Sequence, residues 1–341
     1  MLADGLAGVA IYPRNYRSPA DLRALTDQIR RAARDPVLIG IDQEGGTRFA
    51  LDEPFTRWPS PPELARIGDA TLVETTAYSI ALELRAAGVN VDFAPMLDLA
   101  INPDSPVTMD RSFGGNPAEV ARFGVAFVRG LTAGGVLGCA KHFPGHGDAA
   151  IDPHRDLPSF QGSLDRLSQR ELVPFAAVIE QRVSLIMTAH ILLPRIDPTV
   201  PASLSKRIVR DLLRTEMHYT GVIIADDLGM GAISRAYGTG ESAIKAFEAG
   251  TDVNMLCHNW SAVPLGIEAA QRAFDAGTLD AAAHETARQR IARLREQIES
   301  GPSETPPIEV IGCASHRALA AEIRSRLAAL PNNRLVPRNA N

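Results

Sequence analysis

The sequence predicts an α/β protein built on a parallel sheet, and three observations carry that reading. Val- and Ile-rich runs at 8–12, 36–42, 89–97, 136–142, 184–190, 221–226 and 252–256 alternate with longer helical patterns almost to residue 300. Those runs are continuously apolar rather than alternating, which marks strands covered on both faces. Ionisable residues gather at their carboxyl ends: Asp42, Asp92 and Asp98, Lys141-His142, His190, Asp226-Asp227 and Cys257-His258. Convergence of such groups on one mouth is the layout of a (β/α)8 TIM-type barrel. Seven strands are counted where a closed barrel has eight, so the expected fold is a barrel one strand short of closure. A doubly wound open sheet also satisfies the count, but no GxGxxG opens a helix after the first strand, which leaves its dinucleotide-binding version unsupported.

The helices announce themselves by their starts. Ser18-Pro19-Ala20-Asp21 supplies an N-cap, a proline at the first helical position and an early acid. Asn116-Pro117-Ala118-Glu119 repeats the device before a run that stops at Gly134-Gly135. The runs 203–217 and 241–250 are also helix-like. These elements make a domain over 1–299. Gly301-Pro302 and Thr305-Pro306-Pro307 then form a linker to one helical run, 316–330, and a loose tail, so that 300–341 stands apart.

Composition narrows the function. The 341 residues are 45% hydrophobic and 22% charged with a net charge of −5, which is globular and offers no basic patch for nucleic acid. Cys139, Cys257 and Cys313 form no CxxC pair, so neither a disulfide framework nor a zinc ribbon is expected, and a reducing, cytoplasmic setting is the default. No stretch reaches the roughly 18 apolar residues that span a bilayer, so no membrane partner is expected.

The densest chemical signal is 140–158, AKHFPGHGDAAIDPHRDLP, which holds three histidines and one of only three lysines. Three readings of it stand open. It is a solvated loop, a metal site at His142, His146 and His154, or an acid–base site. Against metal, His-x3-His needs a helix to face one way, and Pro144-Gly145 oppose one. For acid–base work, Pro153 pushes Asp152 to extended geometry, where positions i and i+2 share a side, so Asp152 can orient the His154 ring. A second signal is VIIADDLGM at 222–230, an apolar strand ending in two acids. Those acids alternate across the strand, so only one points into the mouth; Asp226 suits a nucleophile, whereas Asp227 suits a helix N-cap. A third is IGIDQEGGTR at 39–48, where Asp42 can accept from vicinal hydroxyls, and a fourth is DRSFGG at 110–115, where Arg111 offers a fixed fork of donors.

IDQEGG, DRSFGG, KHFPGHGD followed by Asp-x-His, MTAH and ADDLGM, in that order, resemble the family 3 glycoside hydrolases, specifically their single-domain bacterial β-N-acetylglucosaminidase branch. The resemblance runs from about residue 8 to about residue 256. It implies a (β/α)8 barrel and retaining, two-step hydrolysis of terminal β-linked N-acetylglucosamine in peptidoglycan-type fragments, in the cytoplasm and without a cofactor or metal. Asp226 matches the family nucleophile, His154 the acid/base on its loop, and Asp152 the partner in a dyad. Asp42, Arg111, Lys141 and His142 match residues that grip the sugar.

Three departures from the family pattern are visible. Pro153 replaces a serine, Ala50 holds the place of a sugar-contacting arginine with Arg48 nearby, and the first strand is missing. Another segment, such as 316–330, or a partner chain is expected to cover the exposed strand edge. The same residues would also serve a glycoside phosphorylase, and the departures together would suit a catalytically impaired sugar-binding protein.

Overall fold

The computed structural model describes residues 1–47, 51–146, 149 and 151–331. Arg48 and Ala50 therefore lie outside the described residues. Seven strands, β1 (Gly8–Ala10), β2 (Leu38–Ile41), β3 (Val91–Asp92), β4 (Leu137–Phe143), β5 (Leu185–Thr188), β6 (Val222–Ala225) and β7 (Val253–Asn254), form one sheet in sequence order. Every adjacent pair is parallel. All seven expected runs contain strands; six are shorter than expected, and β4 is shifted one residue on, to end at Phe143.

The alternation of side chains along each strand explains the two cores. Ile39, Ile41, Ile186 and Ile223 face outward into a large cluster beneath the helices. Leu38, Val91, Phe93, Cys139, Leu185, Met187, Val222 and Ile224 face inward into a second cluster, joined by Ala10 of β1 and Val253 of β7. Both ends of the sheet therefore touch one interior, so the sheet is curled. Gly40 sits on that inner face because a Cβ there would fall 2.4 Å from the Phe93 ring.

One helix seals the amino ends of the strands. Helix Ala281–Glu299 sends Ile291, Leu294 and Ile298 into the inner cluster. Arg290 clasps Asp252 ahead of β7 at 2.6 Å, Arg295 reaches Asp35 ahead of β2 at 3.4 Å, and Gln297 accepts from Ser184 ahead of β5 at 3.0 Å. The strands' carboxyl ends are left as the open mouth.

Helices at the predicted starts are present. Ser18 Oγ accepts from Asp21 N at the head of helix Pro19–Ala32, and Asn116 Oδ1 accepts from Ala118 N and Glu119 N at the head of helix Pro117–Ala133. The helix-like run at 203–217 is helical, with Ala202–Leu204 3-10 and Arg207–Glu216 π-helical.

The C-terminal helix Ala314–Ala329 does not cover a strand edge. It packs beside helix Pro61–Ile67. The anchor is Glu83 of helix Ala70–Ala86, a buried carboxylate that accepts from Thr56 Oγ1 (2.5 Å), Thr56 N (3.1 Å), Gly312 N (3.0 Å) and His316 Nδ1 (2.8 Å). Truncation would leave four buried donors unpaired. Glu83→Ala is expected to cost about 3 kcal/mol in chemical denaturation and to expose 300–331 to limited proteolysis, with substrate KM unchanged.

Candidate active site

The mouth holds a cavity of about 130 Å³ lined by all seven residues singled out in the sequence: Asp42, Arg111, Lys141, His142, Asp152, His154 and Asp226. That volume is close to the roughly 150 Å³ of an engineered cavity that accepts benzene, so the space suits a single ring. Its apolar wall comes from Phe93, Val107, Met187, Met230 and Met255.

One side is a buried charge cluster. β2 delivers Asp42 and Glu44, and β4 delivers Lys141. Lys141 Nζ lies 2.5 Å from Asp42 Oδ1 and 2.6 Å from Glu44 Oε1. Arg111 grips Glu44 with two parallel bonds, Nε to Oε2 at 2.8 Å and Nη2 to Oε1 at 2.7 Å. Burial opposes the charge on Glu44, yet Arg111 and Lys141 hold its pKa down to about 2. Burial likewise opposes the charge on Lys141, and Asp42 and Glu44 outweigh it and raise its pKa. Glu44 went unremarked in the sequence, where it reads as one more polar residue before a double glycine. Its signal is a second acid three residues past a fully buried strand, two beyond Asp42.

The second group is a pair of histidines on one carboxylate. Asp98, fully buried, accepts from His142 Nδ1 at 2.7 Å and from His146 N at 2.7 Å, with His146 Nδ1 at 3.3 Å. An ionised carboxylate only accepts, so both rings carry their proton on Nδ1. Burial opposes Asp98's charge, and the two histidines hold its pKa well down. His-x3-His does converge here without a helix. Gly145 N donates to His142 O at 2.7 Å, and Gly145 takes φ 109°, so a tight turn folds His146 back edge-to-face on His142 at 5.0 Å. One donor atom of each of Asp98, His142 and His146 falls within 4.8 Å of the others, a grouping that could receive a cation. Asp98's oxygens, however, are already committed to two rings and two backbone amides.

Asp226 leaves β6 and lines the cavity. Burial opposes its charge, while His142, His190, the Asp227 amide (2.7 Å) and Lys141 lower its pKa, keeping it ionised near neutrality. Both acids of the pair line the cavity, contrary to the expectation that alternation would turn one away. Asp227 is not a helix N-cap: its Oδ1 accepts from Gly229 N and Cys257 N, both at 3.0 Å, and Oδ2 pairs with His258 Nδ1. Its carbonyl accepts from His190 Nε2 at 3.0 Å, and since a carbonyl only accepts, His190 bears its proton there and takes Ser203 Oγ–H on Nδ1 at 2.7 Å. Burial lowers the His190 pKa, opposed by the neighbouring Asp226 and Asp227.

Asp152 and His154 are paired, by a route other than extended backbone. Asp152 Oδ1 accepts both from His154 N at 2.9 Å and from His154 Nδ1 at 3.0 Å. A turn closes behind them, with Arg155 N donating to Asp152 O at 2.9 Å. This is an Asx turn, in which one carboxylate oxygen fixes both the backbone and the ring. The turn rests on the segment after the Asp226 strand: Ala232 N donates to Pro153 O at 3.0 Å, and a Cβ at Gly231 would meet His154 O at 2.6 Å.

A one-ring cavity walled by ionised carboxylates and imidazoles suits a sugar and acid–base chemistry upon it. Comparison with known proteins agrees. Residues 1–294 match the family profile described as the glycosyl hydrolase family 3 N terminal domain. A beta-hexosaminidase of Alkalilimnicola ehrlichii is 40% identical over 265 residues, 76% of each chain. One of Pseudomonas aeruginosa is 38% identical over 269 residues, 78% of this chain and 80% of that one. The solved family 3 beta-N-acetylglucosaminidase of Paenibacillus sp. str. FPU-7 superposes with a TM-score of 0.90 at 36% identity; the match covers 95% of this chain and 63% of that one. The chain belongs to glycosyl hydrolase family 3.

The Glu44 cluster makes a signed prediction. Its folded pKa lies below the ordinary 4.5, so its contribution to stability is complete above pH 4.5 and is lost as pH falls toward 2. Glu44→Gln should lower stability at pH 7 by about 3 kcal/mol and flatten the acid limb between pH 4.5 and 2, read by denaturant titration at stepped pH. Gly231→Ala should displace the Asp152–His154 turn and cut kcat by about tenfold or more, with little change in melting temperature.

Proposed function

We propose that the protein is a retaining exo-β-glycosidase that releases terminal β-linked N-acetylglucosamine, on a TIM-type barrel of which the curled seven-strand sheet is the core. The observation that carries this reading is the ionised Asp226 in a one-ring cavity shared with the Asp152–His154 pair. The family and its similarly folded, similarly named relatives support the sugar.

Asp226 attacks the anomeric carbon while His154, protonated at Nε2, donates to the departing oxygen. The C–O bond to the leaving group breaks and a glycosyl–aspartate ester forms. His154, now neutral at Nε2, takes a proton from water, whose oxygen attacks the same carbon and frees Asp226 with net retention. Asp152 holds the ring through Nδ1 and offsets the charge it carries in the first step. Asp42, Arg111, Lys141 and His142 bind the sugar hydroxyls. The cations are fixed by Glu44 beforehand, so they need no reorganisation when charge develops. The methionines and Phe93 offer apolar contact to the ring face and the acetamido methyl. Peptidoglycan-type fragments are the substrate class we favour. Three free cysteines fit a reducing compartment, and among the described residues no helix is long and apolar enough to cross a membrane.

Asp226→Ala should lower kcat on the aryl β-N-acetylglucosaminide by at least about a thousandfold in a folded protein. His154→Ala should lose about a hundredfold or more on an alkyl glycoside and much less on a nitrophenyl one, whose leaving group needs little protonation. Steady-state kinetics on both substrates check this. An Asp226→Ala enzyme with near-normal turnover would end the proposal.

A further inference from the structure

We propose that His258, on the loop after β7, is a second catalytic imidazole, which holds the attacking water during deglycosylation. The inference rests on the glycosidase reading above and gives a task to a cavity residue that the mechanism leaves idle.

The need arises in the second step. In a retaining reaction the water enters on the face that the leaving group has vacated, beside the residue that protonated it. That water carries two O–H bonds. His154 removes one proton, and the other stays on the oxygen that becomes the anomeric hydroxyl. Held by one hydrogen bond alone, the water turns about it and its attacking lone pair is not aimed. A second acceptor fixes the orientation.

His258 stands where such an acceptor is required. Its ring and that of His154 both line the cavity, with centroids 6.3 Å apart and planes at 73°. An oxygen hydrogen-bonded to Nε2 at about 2.9 Å lies about 4 Å from that ring's centroid, so one oxygen fits between two rings at this separation. Asp227 supplies the polarity. Its carboxylate only accepts, so His258 carries its proton on Nδ1 and, as the neutral ring, offers a lone pair at Nε2. Asp152 and His154 have the same layout. The two side chains are 53% and 54% exposed, so neither ring is closed off from water.

The position is fixed by the backbone around it. Asp227 is buried, and its Oδ1 accepts from Gly229 N and Cys257 N, both at 3.0 Å. Cys257, the residue before His258, is held a second time, its carbonyl accepting from Arg14 at 3.4 Å. Asp227 also follows the nucleophile in sequence, so one peptide bond and one carboxylate set the His258 ring relative to Asp226. Asp227 Oδ2 needs only an N–H to be satisfied. The imidazole reaches further, and among the described residues its Nε2 has no hydrogen-bond partner.

The test uses 4-nitrophenyl N-acetyl-β-glucosaminide, whose leaving group departs readily, so that kcat reports deglycosylation and kcat/KM reports glycosylation. His258→Asn keeps a side-chain N–H for Asp227 and removes the Nε2 atom. It should lower kcat about tenfold, lower KM in step and leave kcat/KM within about twofold, with a stopped-flow burst of about one nitrophenolate per site. Sodium azide, an anion with no proton to give up, should restore kcat and yield the β-glycosyl azide. His258→Gln, which carries an amide oxygen toward the Nε2 position, should recover part of the lost kcat. Unchanged kcat in His258→Asn would overturn the assignment. So would an equal fall in kcat and kcat/KM without a burst, which would leave His258 only the task of holding Asp227. Both results leave the hydrolase reading standing. A wild type that releases no nitrophenol would overturn that reading, and the water-holding role with it.

Discussion

Charge buried at the carboxyl end of a parallel sheet must be paired, and the rest of this site follows from how Glu44 meets that constraint. Its two oxygens take Arg111 in a fork and Lys141 from the neighbouring direction, with Asp42 completing the cluster. An unpaired ion in such a place costs several kcal/mol, so the four groups are mutually required. The consequence is functional as well as structural. Two cations are held at fixed positions in the cavity wall before any sugar arrives, and Lys141 also contributes to keeping Asp226 ionised. Asp98 repeats the solution one strand over, serving two histidines where Glu44 serves two cations.

Asp227 extends this logic from the cavity wall to its loops. The residue beside Asp226 binds the amides of Gly229 and Cys257, the ring of His258 and, through its carbonyl, His190. It therefore ties the β6 loop to the β7 loop and to the strand end of β5. The Asp152–His154 turn in its turn sits on the segment that follows, with no room at Gly231 for a side chain. The groups assigned to attack and to proton transfer are thus positioned against one another by backbone contacts, which suits chemistry that tolerates little displacement.

Much of this was legible in the sequence, for identifiable reasons. The seven strands were readable because buried parallel strands need unbroken apolar runs, and the polar ends of those runs marked the mouth. The seven cavity residues were readable because they cluster in short motifs at those ends. What local reasoning missed were long-range partners. Glu44 declares itself only through Arg111, 67 positions away, and Asp98, visible in the sequence as an acid at a strand end, shows its role only through His142, 44 positions away. The Asp152–His154 pairing was expected from extended geometry and is achieved by an Asx turn instead, since the carboxylate competes for the backbone amide. Asp227 looked like a helix cap because strand-acid-glycine is also how caps read; its true partners lie on a different loop. The role of the C-terminal helix was misplaced for a similar reason, because nothing near 316–330 signals the distant Glu83.

The central claim is that Asp226 becomes covalently glycosylated during turnover. Its most direct test is to trap the intermediate with a fluorinated N-acetylglucosaminyl donor that slows deglycosylation, then to digest the protein and locate the adduct by mass spectrometry. The account predicts one sugar per chain, on the peptide containing Asp226, with loss of activity in step with labelling. A sugar attached to a different residue, or slow turnover with no covalent species, would contradict it.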